Sequence, residues 1–234
     1  MRMRKKKHGE QRLAACSKFL VEHPNVDSLP KDMPVWLEIG AGKGGFATGM
    51  TKKYKDVAYF AMERVTDCVV LASELAKRTN EESGECENLR FIVDTADNLT
   101  KLFDNETVDA IFLNFSDPWT KKGYAKRRLT HRRYLSVYFN LLKDGGTLTF
   151  KTDNVGLFNF SIEEIEALGL TCEALTRDLH ASEFAKDNVV TEYEAAFSSQ
   201  GVKINMLRVR KPAGFKPEIP ENLSKDYVVK RYGE

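Results

Sequence analysis

Trp36-Leu37-Glu38-Ile39-Gly40-Ala41-Gly42-Lys43-Gly44-Gly45-Phe46 reads as a short strand that runs into a glycine turn and opens a helix. Glycine lets the backbone turn sharply and lets a ligand approach the main chain, and the helix beyond it presents unpaired N–H groups. A tight βα turn takes glycine for conformational reasons alone, so the turn needs company. It has it: Glu63 closes the next apolar run, 23 residues after Gly40. A carboxylate there can accept both hydroxyls of a ribose. Strand, spaced glycines, helix and acid together indicate a nucleoside-containing cofactor. A pyrophosphate cofactor calls for G-x-G-x-x-G, whereas this turn is G-x-G-x-G preceded by Glu38. An acid at Glu38 repels a pyrophosphate and attracts the ammonium of a methionine moiety, which favours S-adenosylmethionine.

Working outward, short apolar runs at 35–39, 57–62, 89–93, 110–115 and 147–152 alternate with helix-like stretches near 45–54, 65–79, 97–103, 130–143 and 155–168. Repeated βα units predict a mostly parallel sheet with right-handed crossovers and helices on both faces. Two further runs, 171–176 and 204–209, follow without an ordinary crossover and predict an antiparallel pair at the sheet edge. Apolar spacing at Leu13, Cys16, Phe19 and Leu20 predicts a helix over 10–21. The expected organisation is a basic N-terminal arm and helix (1–34), an α/β domain (35–211) and a surface tail (212–234) carrying Pro212, Pro217 and Pro220.

A chain of 234 residues suffices for one full hydrophobic core. No stretch approaches the roughly 18 to 20 apolar residues that span a bilayer. The basic start is not followed by a signal-peptide core, because Ser17 and Lys18 interrupt the apolar run, so a cytoplasmic protein is expected. Cys16, Cys68, Cys86 and Cys172 lie far apart with no CxxC pair, which predicts free thiols and no metal site. The net charge of +2 hides clustering: residues 121–133, KKGYAKRRLTHRR, carry seven Lys or Arg and no acid. That pattern implies one local polyanion contact.

The basic run follows Asn114-Phe115-Ser116-Asp117-Pro118-Trp119, the end of the fourth strand. Ligands of open α/β sheets bind beyond the carboxyl ends of the strands, so this corner faces the reaction centre. Asp-Pro also simply begins turns, and basic runs are often solvated faces. Here Lys121, Lys122, Lys126, Arg127, Arg128, Arg132 and Arg133 stand beside the corner, where they can grip phosphates, and Trp119, Tyr124 and His131 can stack a base.

From about residue 35 to 197 these motifs, in order, resemble the bacterial tRNA (guanine-N7-)-methyltransferases, which methylate a guanosine of the tRNA variable loop. The resemblance also covers Phe150-Lys151-Thr152-Asp153-Asn154 and Thr191-Glu192-Tyr193-Glu194. It implies a Rossmann-like class I methyltransferase fold: a mostly parallel seven-stranded sheet with an antiparallel edge strand and helices on both faces. It implies S-adenosylmethionine held by Glu38, Gly40, Gly42, Glu63 and Asp117, and tRNA as partner, with no membrane and no obligate protein partner, the chain acting as monomer or homodimer. Lys121, Asp153, Thr191, Glu192, Tyr193 and Glu194 would contact the substrate, and Gly123, Tyr124, Ala125, Lys126, Arg127 and Arg128 the RNA. The family's third acid, after strand three, falls on Val93-Asp94-Thr95-Ala96-Asp97. Asp94, at the strand end, is the first choice, with Thr95 and Asp97 as alternatives.

Guanine N7 carries an in-plane lone pair, so methyl transfer to it needs positioning and a carboxylate near the developing cation rather than a base. Asp117 is the expected catalytic group and Asp153 the second choice, suited to N1–H and the amino group of guanine. Two other enzymes compete. Methyltransferases acting on exocyclic amines carry Asp-Pro-Pro-aromatic where this chain has Asp-Pro-Trp, and a short-chain oxidoreductase wants Tyr-x-x-x-Lys, which Tyr134 and Tyr138 do not supply. An RNA-binding module without chemistry would have no use for the intact turn.

Overall fold

In a computed structural model, residues 5–22 and 32–224 are described. The first residues of the basic arm, the linker around Pro24 and Pro30 and the last ten residues of the tail lie outside them.

The glycine turn joins β1 (Val35–Ile39) to α2 (Gly45–Lys53); α1 (Gly9–Ala14) precedes both. The chain continues through β2 (Ala58–Met62), α3 (Thr66–Ser83), β3 (Leu89–Ile92), α4 (Leu99–Leu102) and β4 (Val108–Asn114). Then come α5 (Arg132–Leu141), β5 (Leu142–Thr152), α6 (Val155–Glu166), β6 (Ala174–Thr176), α7 (Glu192–Ser198) and β7 (Asn205–Arg210). The seven strands lie in the order β3-β2-β1-β4-β5-β7-β6. β1 to β5 pair in parallel, and β7 runs antiparallel to β5 on one side and β6 on the other. The antiparallel strand therefore sits one place in from the edge, and the very short β6 forms the edge itself.

Alternation along the strands feeds two cores. Leu37, Ile39, Phe60, Ile111, Leu148 and Phe150 pack with α5 and α6 on one face. On the other, Tyr59, Ala61 and Phe91 pack with Phe46 of α2 and Val69 and Ala72 of α3. Burial on both faces explains why β2, with Ala58, Tyr59, Phe60, Ala61 and Met62, is buried at every position, whereas β5 alternates through Thr147, Leu148, Thr149 and Phe150.

The segment 10–21 breaks sooner than its spacing predicts. α1 ends at Ala14, a 3₁₀ turn (Ser17–Phe19) buries Phe19, and Leu20 bridges Phe91 in parallel beside β3. Pairing with a sheet edge outcompetes local helix propensity there. The excursion between β6 and β7 is also more ordered than its sequence suggests, with two 3₁₀ turns and α7.

Candidate active site

The strand order reverses between β1 and β4, and the chain leaves both strands on the same side of the sheet. An open cavity of about 1700 Å³ lies over these strand ends, lined by Gly40, Gly42, Glu63, Asp94, Asp117 and Arg127 among others. Gly40, Gly42 and Gly44 all have positive φ, at 85°, 55° and 77°. A Cβ on Gly40 or Gly42 would meet nothing within 4 Å, so both present bare backbone to open space. On Gly44 it would stand 2.7 Å from the Cβ of Ala72, so this glycine lets α2 close on α3. Glu63, at the end of β2, is fixed by backbone: Gly42 N–H donates to its Oε2 at 3.0 Å and Val65 N–H to its Oε1 at 2.9 Å.

Glu38 lies one residue inside the lining and is 1% exposed. The Asn114 amide donates to its Oε1 at 3.0 Å and the Tyr59 hydroxyl to its Oε2 at 3.4 Å. Burial lifts the carboxyl to about 7, against the opposing pull of Asn114, the charge of Lys151 and Tyr59. A buried acid held near neutrality is suited to an incoming cation.

Asp94, Thr95 and Asp97 all line the cavity. Asp94 Oδ1 accepts from Thr95 N–H at 2.6 Å and from the Asn98 amide at 2.7 Å, shaping its own turn. Asp97 Oδ1 accepts from Arg133 at 2.5 Å and the Tyr134 hydroxyl at 3.0 Å, so its charge is already engaged.

After β4 the corner is strained. Phe115 (φ 50°) and Trp119 (φ 41°) occupy the left-handed region and bracket Ser116-Asp117-Pro118. Bulky residues there cost of order 1–3 kcal/mol each, a cost that concentrates at functional sites. Asp117 is exposed and faces the Arg64 guanidinium at 3.5 Å, an ion pair that solvent screens. Lys122–Arg127 form a 3₁₀ turn in which the Arg127 guanidinium stands 4.6 Å from the Tyr124 ring and 5.1 Å from Trp119. The basic run divides by role. Arg128 donates to the carbonyls of Pro118 and Trp119 at 3.0 and 3.1 Å and braces the corner. Arg132 pairs with Glu164 and Arg133 with Asp97. Lys121, Lys122, Lys126 and Arg127 are exposed.

A second wall comes from β5 and α7. Asp153 follows β5, and the Tyr193 hydroxyl donates to its Oδ2 at 3.3 Å. The Tyr193 ring packs on Phe115 at 4.9 Å and on Phe197 at 4.3 Å. Thr191 caps α7 in a capping box with Glu194, which is wholly buried. Glu192 reaches the glycine turn, with its Oε2 3.8 Å from Lys43 Nζ.

Of the residues expected from sequence, Gly40, Gly42, Glu63, Asp94, Asp117, Lys126 and Arg127 share the cavity, with Glu38 behind it. Asp153 and Tyr193 join it through Phe115. Lys121, Gly123, Tyr124 and Ala125 stand outside the lining, on or beside the 3₁₀ turn. Sequence reasoning passed over Tyr59 and Asn114, which hold Glu38, Arg64, which meets Asp117, and the buried Lys151. Asn114 and Lys151 fall within the strand-end motifs of β4 and β5; Tyr59 and Arg64 carried no signal.

A family model described as "Putative methyltransferase" matches residues 32–207. The tRNA (guanine-N(7)-)-methyltransferase of Macrococcus caseolyticus (strain JCSC5402) is 37% identical over 222 residues, covering 90% of this chain and all of that one. Its counterpart in Streptococcus pyogenes serotype M6 is 38% identical over 207 residues, covering 86% and 95%. Among solved structures, the 16S rRNA methyltransferase KamB superposes with a TM-score of 0.62 at 11% identity, over 82% of this chain and 95% of that one. The 16S rRNA (adenine(1408)-N(1))-methyltransferase of Catenulisporales acidiphilia, solved with cosubstrate SAM, gives 0.54 at 11% identity, over 92% and 96%. At these identities the two structures speak for the fold alone.

Proposed function

Because the chain belongs to the tRNA (guanine-N7-)-methyltransferase family, we propose that its cavity seats S-adenosylmethionine against a guanine of the tRNA variable loop. The protein is a methyltransferase that methylates guanine N7 in tRNA, with S-adenosylmethionine as donor. The observation that carries the site assignment is the division of charge around one cavity. Glu63, Asp94 and Asp117 line it, with Glu38 buried behind the glycine turn, and Trp119, Lys126 and Arg127 line it from the corner after β4, beside the exposed Lys121, Lys122 and Tyr124.

The residues fit the donor. Open space before Gly40 and Gly42 admits a ligand to the backbone, Glu63 is oriented for ribose hydroxyls, and Glu38 suits an ammonium. Asp94 is assigned to the adenine end. The bound sulfonium supplies the electrophilic methyl group. Asp117 stabilises the positive charge that develops on the guanine, and the solvent-screened pair with Arg64 yields to it at little cost. Asp153 holds the Watson–Crick edge, Tyr193 and Phe115 offer ring faces to the base, and Thr191 and Glu192 flank the seat. Lys121, Lys126 and Arg127, with Gly123 to Ala125, follow the RNA backbone, and Arg128 acts by bracing the corner.

In this reading residues 35–211 are the catalytic domain and 1–34 a basic arm and helix. The segment 212–224, expected as a surface tail, instead packs on that domain, with Leu223 buried, Phe215 and Ile219 against the core, and the Leu223 carbonyl accepting from the Thr100 hydroxyl at 2.7 Å. The enzyme works in the cytoplasm as a monomer or homodimer, without an obligate protein partner. Among the described residues no helix is long and apolar enough to cross a membrane. The test is incubation with unmodified tRNA and labelled donor, followed by cleavage at N7-methylguanosine. Label confined to one variable-loop guanosine is expected. Label on another atom or in another loop would overturn the assignment.

A further inference from the structure

Lys151 is charged, 3% exposed and penultimate in β5. Its Nζ donates to Glu194 Oε2 at 2.8 Å, Asn188 Oδ1 at 2.9 Å and the Val189 carbonyl at 3.1 Å. All three acceptors belong to the segment that leads into and through the first turn of α7. The ammonium also lies 4.7 Å from the Phe46 ring of α2 and 5.9 Å from that of Phe115. Glu194, with no exposed surface, further accepts from the Asn188 amide at 2.6 Å and lies 3.1 Å from His180 Nε2.

An apolar pair of the same volume commonly matches or exceeds the stability of a buried ion pair. What such a pair does supply is a fixed geometry. Asp153 stands two residues beyond Lys151, and Tyr193 immediately precedes Glu194, so the pair ties together the two chain segments whose side chains meet at the Tyr193–Asp153 hydrogen bond. Glu194 is also one half of the box that sets Thr191. Across the sheet, Lys151 is in register with Asn114, whose amide holds Glu38. One buried cation thus adjoins both the donor side and the guanine side of the cavity.

We propose that Lys151 is a positioning residue for methyl transfer: through Glu194 it fixes Thr191 and Tyr193 relative to the Asp117 corner, so that guanine and donor meet in line. This rests on the site assignment above. Glu194 accordingly acts by holding its neighbours, not by touching the base.

The test compares full-length wild type with Lys151→Met, Lys151→Arg, Glu194→Gln and the Lys151→Met/Glu194→Gln double variant. Single-turnover methylation at saturating tRNA and donor, KM for tRNA and thermal midpoint are measured for each. A displacement of about 1 Å in the reacting geometry costs on the order of 10²-fold, so the Lys151→Met rate constant should fall by that order while KM moves far less. Lys151→Arg should recover part of the rate, and the double variant should be no slower than Lys151→Met, because both changes break one connection. A lowered midpoint with an unchanged rate constant in the folded fraction would reduce the pair to a structural prop and overturn the proposal. Should Lys151→Met not fold, the near-isosteric Glu194→Gln carries the same comparison. Failure of the wild type to form N7-methylguanosine would instead overturn the functional reading.

Discussion

Glu38→Gln should push stability and donor binding in opposite directions. The carboxyl is buried with one amide and one hydroxyl as donors, and its pKa rises from an ordinary 4.5 to about 7. That difference corresponds to about 3 kcal/mol between the protonated and ionised forms. An unfolded chain releases this proton near pH 4.5, whereas the folded protein keeps it to about 7, so the folded state binds more protons across that window. Stability therefore falls as pH rises through it, and above 7 the whole penalty is present. Glutamine removes the charge and keeps the shape, but its NH₂ must find an acceptor, which trims the gain to about 1–3 kcal/mol. For a domain of this size each kcal/mol moves the thermal midpoint by about 2–4 °C. At pH 8 the donor-free variant should therefore melt several degrees above wild type, and at pH 5 the two should nearly coincide. Its affinity for S-adenosylhomocysteine should drop, since a neutral amide replaces the carboxylate that pairs with the ammonium. Wild-type affinity should itself weaken by about tenfold per pH unit below 7, where the acid takes up its proton. Thermal unfolding from pH 5 to 9 and calorimetric titration of S-adenosylhomocysteine read both effects. Equal midpoint offsets at pH 5 and pH 8, or undiminished binding by the variant, would refute the reasoning.

Other perturbations separate the parts of the site. Asp117→Ala should lower single-turnover methylation by on the order of 10²–10³ at saturating tRNA and donor; full activity would remove it from the chemistry. Neutralising Lys126 and Arg127 should flatten the logarithmic salt dependence of tRNA binding by about 0.7–0.9 for each phosphate that the protein no longer neutralises. Arg128→Ala should leave that slope alone and cost about 1–2 kcal/mol in urea unfolding, because its guanidinium braces the corner carbonyls. Gly44→Ala combines a left-handed backbone with a Cβ 2.7 Å from Ala72 and should destabilise by about 2–4 kcal/mol; a destabilisation under about 1 kcal/mol would contradict the packing described.

The fold was readable because its strands are short apolar runs separated by turn chemistry, and the one at 35–39 has the same limits in structure as in sequence. β5 begins earlier than its apolar run: Leu142 already pairs with Val108, the stretch holding Gly145 and Gly146 then breaks the register with β4 while it bonds to Lys211, and the ladder resumes at Thr147 opposite Ala110. α7 escaped notice because seven residues give too little periodicity, although Thr191-x-x-Glu194 is a legible capping box. The glycine turn and Glu63 were local enough to read. The partners of Glu38 were not, because Tyr59 and Asn114 reach it only once β2 and β4 flank β1. Likewise, nothing near Asp97 in sequence announces that Arg133 and Tyr134 engage its charge.

The place of β7 has a consequence for how the enzyme is made. It is the last strand among the described residues, yet it inserts between β5 and β6. During synthesis β5 keeps a bare edge and β6 has no partner until residues 205–210 arrive. Exposed edges of this kind invite pairing with other chains. Nascent or truncated polypeptides ending before β7 are therefore sticky and inactive together, and the guanine seat, whose α7 wall precedes that strand, is finished only when the sheet is sewn shut.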